Sequence, residues 1–480
     1  MMTGITRRRE QHLSMGLWAV AMFCTISWHY VAVSAASNNS PKIAIIGGGI
    51  GGGSTAYYLH KWLPDASLTL FEQNDYIGGR LKHTLFTAGG KQAIPLNLGG
   101  DAWSDVNAYM VSLQKELKVP LDESSTGGNG LLGFFEGNGR WLQPHRDYIS
   151  EGSMYLILES FKWALRSNYD HRGDDVAFGS IGEFLSAGGL NGFTSVTAYD
   201  YAKAHYWVSD RFLWQDVLPV TRVIYDQNLN LTAFAGWTSL LAGTTESFST
   251  EGGNDVFVQT LVNASKARVM LNTKVMDVSK ANNKNNPTSY LVTYAKNQND
   301  TKKIELDSQM FDVVILAAPF EFSGIRWNKF KLPNIKPRPY VHWFVTMVQS
   351  SGLNATYFGK AKTEQVPDSI LTTGNSTAPF VVVSIQAQPD PTTKIYKIFS
   401  NEDVSDRLNS IFVNVTNHVV QHWNYTFPVY KAMNDDDYQP IVLHDNLFYL
   451  NAMESVATAM ECSVIAGRNI ALLIKKAFRL

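Results

Sequence analysis

The stretch Lys42-Ile-Ala-Ile-Ile-Gly-Gly-Gly-Ile-Gly-Gly-Gly-Ser54 decides the fold of this chain. Its first five residues are an apolar run of the kind that forms a buried parallel strand. Glycines then follow at G-x-G-x-x-G spacing, at Gly47, Gly49 and Gly52. A helix is predicted over 54–62 and a second strand over 67–71. A strand, a glycine-rich turn, a helix and a strand in this order predict an α/β fold with a Rossmann-like domain.

Each glycine of the turn has its own physical role. The first permits the tight turn, the second lets the backbone approach a pyrophosphate, and the third lets helix and strand pack closely. Free N–H groups at the helix N-terminus attract phosphate oxygens. Glu72 follows Gly52 by twenty residues and can accept hydrogen bonds from ribose hydroxyls. We therefore predict a dinucleotide site in which Ile50 and Gly51 also take part.

Gly78-Gly79-Arg80 resembles the second signature of the amine-oxidase-like flavoproteins. This resemblance implies FAD, with the Gly79 backbone at the pyrophosphate and Arg80 neutralising phosphate charge. It also implies that Val275 contacts the adenine through backbone atoms. A long final helix containing Glu454 and Met460 would point its N-terminus at the flavin and stabilise negative charge there.

The same reading divides the chain into two domains and a leader. The Rossmann-like FAD-binding domain is predicted from three discontinuous segments, 41–118, 250–325 and 445–480. An α+β substrate domain is predicted from 119–249 and 326–444.

Residues 1–36 carry the pattern of a targeting segment. Three arginines, Arg7 to Arg9, precede a mostly apolar run that ends in small residues at Ala36, which is typical of a secretory signal peptide. A retained signal anchor is the alternative. Acceptor triplets for N-glycosylation occur at Asn38, Asn230, Asn263, Asn299, Asn354, Asn375, Asn414 and Asn424. Together they predict a glycoprotein of the secretory pathway.

Composition excludes several classes of function. The 480 residues contain 41 Lys and Arg against 42 Asp and Glu, so no basic field for nucleic acid is expected. His418 and His422 are four residues apart, which on a helix would place them on one face, but no third ligand is evident. We therefore expect no metal site.

The central region resembles the prenylcysteine oxidase (prenylcysteine lyase) family. The resembling segments span most of the chain after the leader and are 212–227, 233–236, 239–240, 251–254, 449–463 and 471–473. The resemblance implies FAD-dependent cleavage of S-farnesyl- or S-geranylgeranyl-cysteine by O2 and water, giving cysteine, a prenyl aldehyde and hydrogen peroxide. It also implies a lysosomal or secreted location.

This reaction requires correct positioning of the substrate more than it requires a strong catalytic base. The carbon between sulfur and the prenyl chain is allylic, so loss of hydride leaves a stabilised cation, and a dry apolar slot would hold the tail. By the same resemblance His342 could help activate water. Cys462 does not stand where amine oxidases link their flavin, so we expect non-covalent FAD.

One stretch departs from the family pattern. Gly100, Asp101 and Ala102 should pass beside the flavin, but Asn97 and Ser104 stand where the resemblance predicts an acid and a histidine. Two alternatives therefore stay open: a flavin amine oxidase acting on an apolar amine, and a catalytically silent FAD- or lipid-binding relative. Peripheral membrane contact is possible for a protein with apolar-tail substrates, and the oligomeric state is not predicted.

Overall fold

The predicted βαβ unit forms the centre of a parallel sheet in the computed structural model, which describes residues 40–87, 93–123, 130–143, 146–172, 175–281, 288–297 and 304–478. Within these ranges the strands are β1 (Lys42–Ile46), β2 (Ser67–Phe71), β3 (His83–Phe86), β4 (Ile94–Asn97), β5 (Trp103–Ser104), β6 (Leu132–Gly137), β7 (Arg140–Trp141), β8 (Ser247–Phe248), β9 (Arg268–Met270), β10 (Thr273–Lys280), β11 (Tyr290–Asn297), β12 (Ile304–Phe311), β13 (Val313–Leu316), β14 (Arg326–Asn328), β15 (Tyr340–Ser350), β16 (Gly352–Leu353), β17 (Ser369–Thr372), β18 (Val382–Asp390), β19 (Thr393–Ser400), β20 (Phe412–Val413), β21 (Asn417–Pro428), β22 (Val442–His444) and β23 (Leu447–Tyr449).

The helices of the same ranges are α1 (Ile50–Trp62), α2 (Ala108–Leu117), α3 (Tyr148–Arg172), α4 (Ile181–Ala187), α5 (Asn191–Thr194), α6 (Ala198–His205), α7 (Asp210–Phe212), α8 (Leu218–Tyr225), α9 (Ala233–Thr244), α10 (Asn254–Ser265), α11 (Phe320–Ser323), α12 (Leu408–Ile411) and α13 (Met460–Ala477). A π-helical turn covers Leu213–Val217, and 3₁₀ turns cover Ser405–Arg407, Asp435–Asp437 and Leu450–Ser455.

A six-stranded sheet carries the predicted dinucleotide motif. Its strand order is β22-β23-β13-β1-β2-β9, and all neighbours are parallel except β22 and β23. Ile43 pairs with Val313 on one side and Leu68 on the other, so β1 is interior and its apolar side chains are buried. The strands predicted over 42–46 and 67–71 are confirmed, as is the α/β fold class.

The first helix begins earlier than predicted because the glycines themselves form its first turn. Helix α1 begins at Ile50 rather than at residue 54. A Cβ added to Gly52 would lie 2.0 Å from the carbonyl oxygen of Gly47, so only glycine fits there. One added to Gly467 of α13 would lie 2.6 Å from Ser54 Oγ of α1. Close packing on two sides therefore fixes where α1 enters the sheet.

The final helix is shorter than predicted, because Glu454 lies in the 3₁₀ turn Leu450–Ser455 and α13 begins only at Met460. Val275 lies on β10, which begins a separate four-stranded sheet of order β12-β11-β10-β14, whereas β9 extends the parallel sheet. Asn272, whose φ is +51°, lies between these two strands.

A seven-stranded sheet of order β21-β15-β19-β18-β17-β6-β7 lies in the region predicted as the substrate domain. One face of this sheet packs apolar residues of β15, such as Trp343 and Val345, with Tyr225 of α8. Its other face packs a separate cluster that includes Ile370, Tyr396 and Ile398. The proposed boundaries between the two domains stay a prediction.

His418 and His422 lie on β21 and not on a helix. Four residues along a strand span about 13 Å, which is too far for two imidazoles to share one ion. Among the described residues, no group of three or more His, Cys, Asp or Glu side chains is arranged to hold a metal. None of the described helices has the length and hydropathy of a membrane span. The predicted leader, 1–36, lies outside the described residues.

Two glycine substitutions test the packing of α1. Gly52→Ala should lower the free energy of unfolding by about 1–3 kcal/mol or more, because its methyl group would overlap the Gly47 carbonyl. Gly152→Ala, in the exposed part of α3 with no atom within 4 Å of the new Cβ, should instead be neutral or stabilising by up to about 1 kcal/mol. Urea unfolding of both variants measures the difference. Equal stability of the two variants would contradict the packing described for α1.

Candidate dinucleotide and substrate cavity

One cavity of about 780 Å3 opens at the carboxyl ends of the parallel strands. Ile46, Phe71 and Leu316, the last residues of β1, β2 and β13, all line it. Open α/β sheets bind their ligands at this edge, because the glycine-rich turn and the helix N-terminus meet there. The predicted dinucleotide motif therefore faces a cavity large enough for a ligand.

Two glycine loops form one wall of the cavity. Gly49 is the N-cap of α1, no side chain caps this helix, and its first turn has no acidic residue. The Gly78 N–H donates to the Gly48 carbonyl at 2.9 Å, and a Cβ on Gly79 would lie 3.0 Å from the Gly49 Cα. Bare backbone N–H groups with a positive helix end suit a diphosphate.

Glu72 lies next to these loops and is 5% exposed. Its carboxylate accepts the Gly48 N–H and the Asn74 N–H, both at 2.8 Å. Burial raises the pKa of Glu72, although these N–H donors oppose the rise. Glu72 Oε1 also accepts Asn74 Nδ2 at 2.7 Å, so Oε2, which accepts the Gly48 N–H, is the oxygen with acceptor capacity left for a ribose hydroxyl.

Arg80 lines the cavity, and hydrogen bonds and an ion pair hold its guanidinium in place. Its guanidinium donates to the Thr426 carbonyl at 2.6 Å and forms an ion pair with Glu454. Glu454 also accepts the Tyr340 hydroxyl at 2.7 Å and Asn451 Nδ2 at 2.8 Å. Burial alone would raise the pKa of Glu454, but the positive charges of Arg80 and Arg338 lower it below its ordinary value. Glu454 is not among the lining residues, so it orients Arg80 rather than facing a ligand.

The loop Gly99–Ser104 forms the next part of the wall. Asn254 Nδ2 donates to the Gly100 and Asp101 carbonyls at 2.9 and 2.7 Å, and Asn97 Oδ1 accepts the Asn254 N–H at 2.9 Å. Asn97 is therefore a structural support of this loop. The Asp101 carboxylate forms an ion pair with Lys397, whose side chain is fully buried and whose pKa is lowered by that burial despite the opposing charge of Asp101.

The N-terminus of α13 reaches the same cavity. Ala459 is its N-cap without a side-chain hydrogen bond, and Thr458, Ala459 and Met460 line the cavity. The acid of its first turn, Glu461, points elsewhere and accepts the Tyr109 and Met110 N–H groups at 2.9 Å. Glu461 therefore does not cap the N-terminus of α13.

The far wall of the cavity is apolar. It is formed by the seven-stranded sheet and by the helices that cover it, through Trp343, Val345, Phe399, Leu165, Val223, Ile224 and Leu241. None of the cofactor or catalytic residues predicted from the sequence belongs to this wall. The aromatic residues Trp423, Tyr425 and Phe427 of β21 also line the cavity. Their alternation with polar residues is typical of a strand, whereas the four-residue spacing of the two histidines nearby is typical of a helix face.

Most predicted cofactor residues meet at this cavity. Those that line it are Gly47, Gly49, Ile50, Gly51, Glu72, Gly79, Arg80, Gly100, Asp101, Ala102, Val275 and Met460. Gly52 does not line it, because it packs against Gly47. His342 does not line it either: its Nε2 lies 3.1 Å from the Asn401 carbonyl oxygen. Of the histidines in the described ranges, His422 lines the cavity, and its ring stacks on that of Phe344 with 4.1 Å between the ring centroids.

The sequence profile of the prenylcysteine lyase family matches residues 153–480. The chain belongs to this family. A second profile, for the NAD(P)-binding Rossmann-like domain, matches residues 45–115. The family resemblance read from the sequence is confirmed.

Individual relatives agree with this membership. Human prenylcysteine oxidase 1 is 30% identical, over 96% of this chain and 93% of the relative. Farnesylcysteine lyase of Arabidopsis thaliana is 28% identical, over 92% of this chain and 89% of the relative. Among solved structures, cyclohexylamine oxidase from Brevibacterium oxydans superposes with a TM-score of 0.59 over 92% of this chain and 100% of that chain, at 15% identity. At that identity the likeness establishes the fold alone.

The Arg80–Glu454 pair is testable through stability. Glu454→Gln should lower the free energy of unfolding by about 3 kcal/mol, because it leaves a largely buried guanidinium without its counter-charge. Glu116→Gln, which breaks the exposed Lys61–Glu116 pair, should cost less than about 1 kcal/mol. Urea unfolding at neutral and acidic pH measures both.

The pH dependence adds a second test of the same pair. Since the folded-state pKa of Glu454 is lowered, its stabilisation is present above the ordinary carboxyl range and is lost as the pH falls through the lowered value. The gap between wild type and Glu454→Gln should therefore narrow in acid. A gap that stays constant with pH would contradict the ion pair.

Proposed function

We propose that this protein is an FAD-dependent thioether oxidase that cleaves S-prenyl-L-cysteine with O2 and water to cysteine, a prenyl aldehyde and hydrogen peroxide. One observation carries the proposal: in a member of the prenylcysteine lyase family, a single cavity joins the glycine loops to an apolar wall. The relatives named above as prenylcysteine oxidase and farnesylcysteine lyase support the substrate class.

The residues present fit FAD. The uncapped N-terminus of α1 and Arg80 would hold the diphosphate, Glu72 the ribose, and Thr273 to Val275 the adenine end. The N-terminus of α13 would face the part of the flavin that becomes negative. We propose non-covalent binding, since Cys462, the free thiol of the described chain, is not among the lining residues.

The chain's own residues would position the thioether and keep water away. When bound, the flavin supplies a two-electron acceptor for the C–H bond next to sulfur. The apolar wall around Trp343 and Phe399 would take the prenyl tail, where each buried methylene contributes about 0.8 kcal/mol. Lys82, Asp101 and Gln421 also line the cavity and could hold the charged groups of the cysteine.

We further propose that the protein is a glycoprotein of the secretory pathway, located in the lysosome or secreted. The leader pattern of 1–36 supports this, and so do the glycosylation triplets. Asn230, Asn263, Asn375, Asn414 and Asn424 are exposed, and Asn354 is half-buried, whereas Asn38 and Asn299 lie outside the described residues. No nucleic-acid partner is proposed. We also propose peripheral contact with a membrane.

Anaerobic mixing tests the substrate class. S-farnesyl-L-cysteine should bleach the visible flavin absorbance, release one aldehyde per flavin, and yield hydrogen peroxide when air is admitted. Bleaching by cyclohexylamine but not by farnesylcysteine would favour an amine oxidase instead. Bleaching by neither compound would indicate a catalytically silent relative. Either of these two outcomes would contradict the proposal.

Cofactor retention tests the FAD site separately. The double variant Glu72→Ala/Arg80→Ala should be purified with at least about tenfold less FAD than wild type, because it loses the ribose and phosphate partners, and one tenfold step corresponds to about 1.4 kcal/mol. Lys61→Ala/Glu116→Ala removes the same charge types from an exposed pair and should keep its FAD. Absorbance and chromatography of the released flavin give the content. Full FAD in the Glu72/Arg80 variant would refute the site.

A further inference from the structure

Helix α3 carries an exposed apolar ridge that no described element covers. The ridge consists of the exposed side chains Tyr148, Ile149, Tyr155, Leu156 and Trp163, the last with 70% of its surface exposed. These positions recur at helical spacing and therefore lie on one face of α3. The opposite face is buried through Met154, Ile157, Phe161 and Ala164.

Two further exposed tryptophans lie in the segment that packs against the start of α3. Ser209 donates its N–H to Ser150 Oγ at 2.8 Å and its hydroxyl to Asp147 at 2.6 Å, which fixes the segment around it against the start of α3. Trp207, two residues before this contact, is 85% exposed, and Trp214 is also exposed. Large exposed apolar patches on soluble proteins mark interaction sites.

The composition of the ridge matches a lipid interface. Tryptophan and tyrosine are enriched at membrane–water boundaries, because their rings are apolar while their polar atoms stay hydrated. Cationic side chains, which suit lipid headgroups, flank the ridge at Arg146, Lys162, Arg166 and Arg211. Two of these cations are paired with acids of α3, Arg146 with Glu151 and Lys162 with Glu159, which leaves Arg166 and Arg211 outside these two pairs.

The opposite side of α3 borders the cavity. Leu165 of α3 lines the apolar wall together with Val223 and Ile224 of α8. A single helix therefore contributes both to the exposed ridge and to the wall proposed to take the prenyl tail. A prenyl tail partitions into bilayers for the same reason that it fits this wall.

We propose that the α3 ridge, with Trp207 and Trp214, binds the surface of a lipid bilayer and takes prenylcysteines from it. The choice of a bilayer over a second copy of the chain rests on the shared helix, on the Trp and Tyr content, and on the flanking cations. The part of this inference that concerns substrate uptake depends on the proposed function, whereas bilayer binding itself does not.

Vesicle flotation tests bilayer binding without turnover. Phosphatidylcholine vesicles are floated with the full chain, with Tyr155→Gln/Trp163→Gln, and with the control Leu85→Thr/Leu306→Thr, which removes two exposed apolar side chains elsewhere. Glutamine keeps helix propensity, and threonine keeps strand propensity. The ridge variant should bind vesicles about tenfold more weakly or worse, because two aromatic side chains no longer leave water. The control should bind like wild type.

If something other than a bilayer binds the ridge, the flotation experiment should give a different result. All forms carry the same N-terminus, so binding through residues 1–39 would leave the ridge variant unchanged and overturn the proposal. Failure of all three proteins to float would also overturn it. Loss of a dimer in the ridge variant, seen by sedimentation, with no change in flotation, would assign the ridge to a second copy.

Kinetics separate this inference from the proposed function. With farnesylcysteine presented in vesicles, kcat/KM of the ridge variant should fall about tenfold, as its affinity for vesicles does. With farnesylcysteine dissolved below its aggregation limit, kcat/KM should equal that of the wild type. An equal loss in both assays would contradict uptake through the ridge. If no form turns over farnesylcysteine, the proposed function fails while flotation still decides bilayer binding.

Discussion

The close approach of α1 to β1 is the constraint on which the rest of the site depends. Gly52 touches the Gly47 carbonyl, so the helix starts directly over the end of the strand and leaves its first N–H groups bare. The second glycine loop then packs on the first through Gly78 and Gly48. A side chain at these contacts would push the loops apart and remove the surface that a diphosphate needs.

The charged residues next to the two glycine loops are held by residues that are far away in the sequence. Arg80 and Glu454 are 374 positions apart, yet their ion pair joins the second glycine loop to the turn before α13. Tyr340 adds the beginning of β15 to the same network. Because these contacts join the parallel sheet to the seven-stranded sheet, they also fix the distance between the two glycine loops and the apolar wall.

How much the sequence predicts depends on how local the signal is. β1 and β2 were predicted to the residue, because buried parallel strands are continuous apolar runs with sharp ends. The start of α1 was missed because glycine has low helix propensity, although here it forms the first turn. The placement of Glu454 in the last helix failed because a short 3₁₀ turn has no readable period. The resemblance named His342, but which histidine borders the cavity depends on strand pairing between β15 and β21.

We propose that one cavity holds both the flavin and the prenyl thioether. A crystal structure of the full chain with FAD and an unreactive farnesyl thioether is the decisive experiment. We expect diphosphate density at Gly49 and Arg80 and the farnesyl chain along Trp343 and Phe399, with the sulfur between the two. Density for the farnesyl chain at any other place, or for no dinucleotide at the glycine loops, would contradict it.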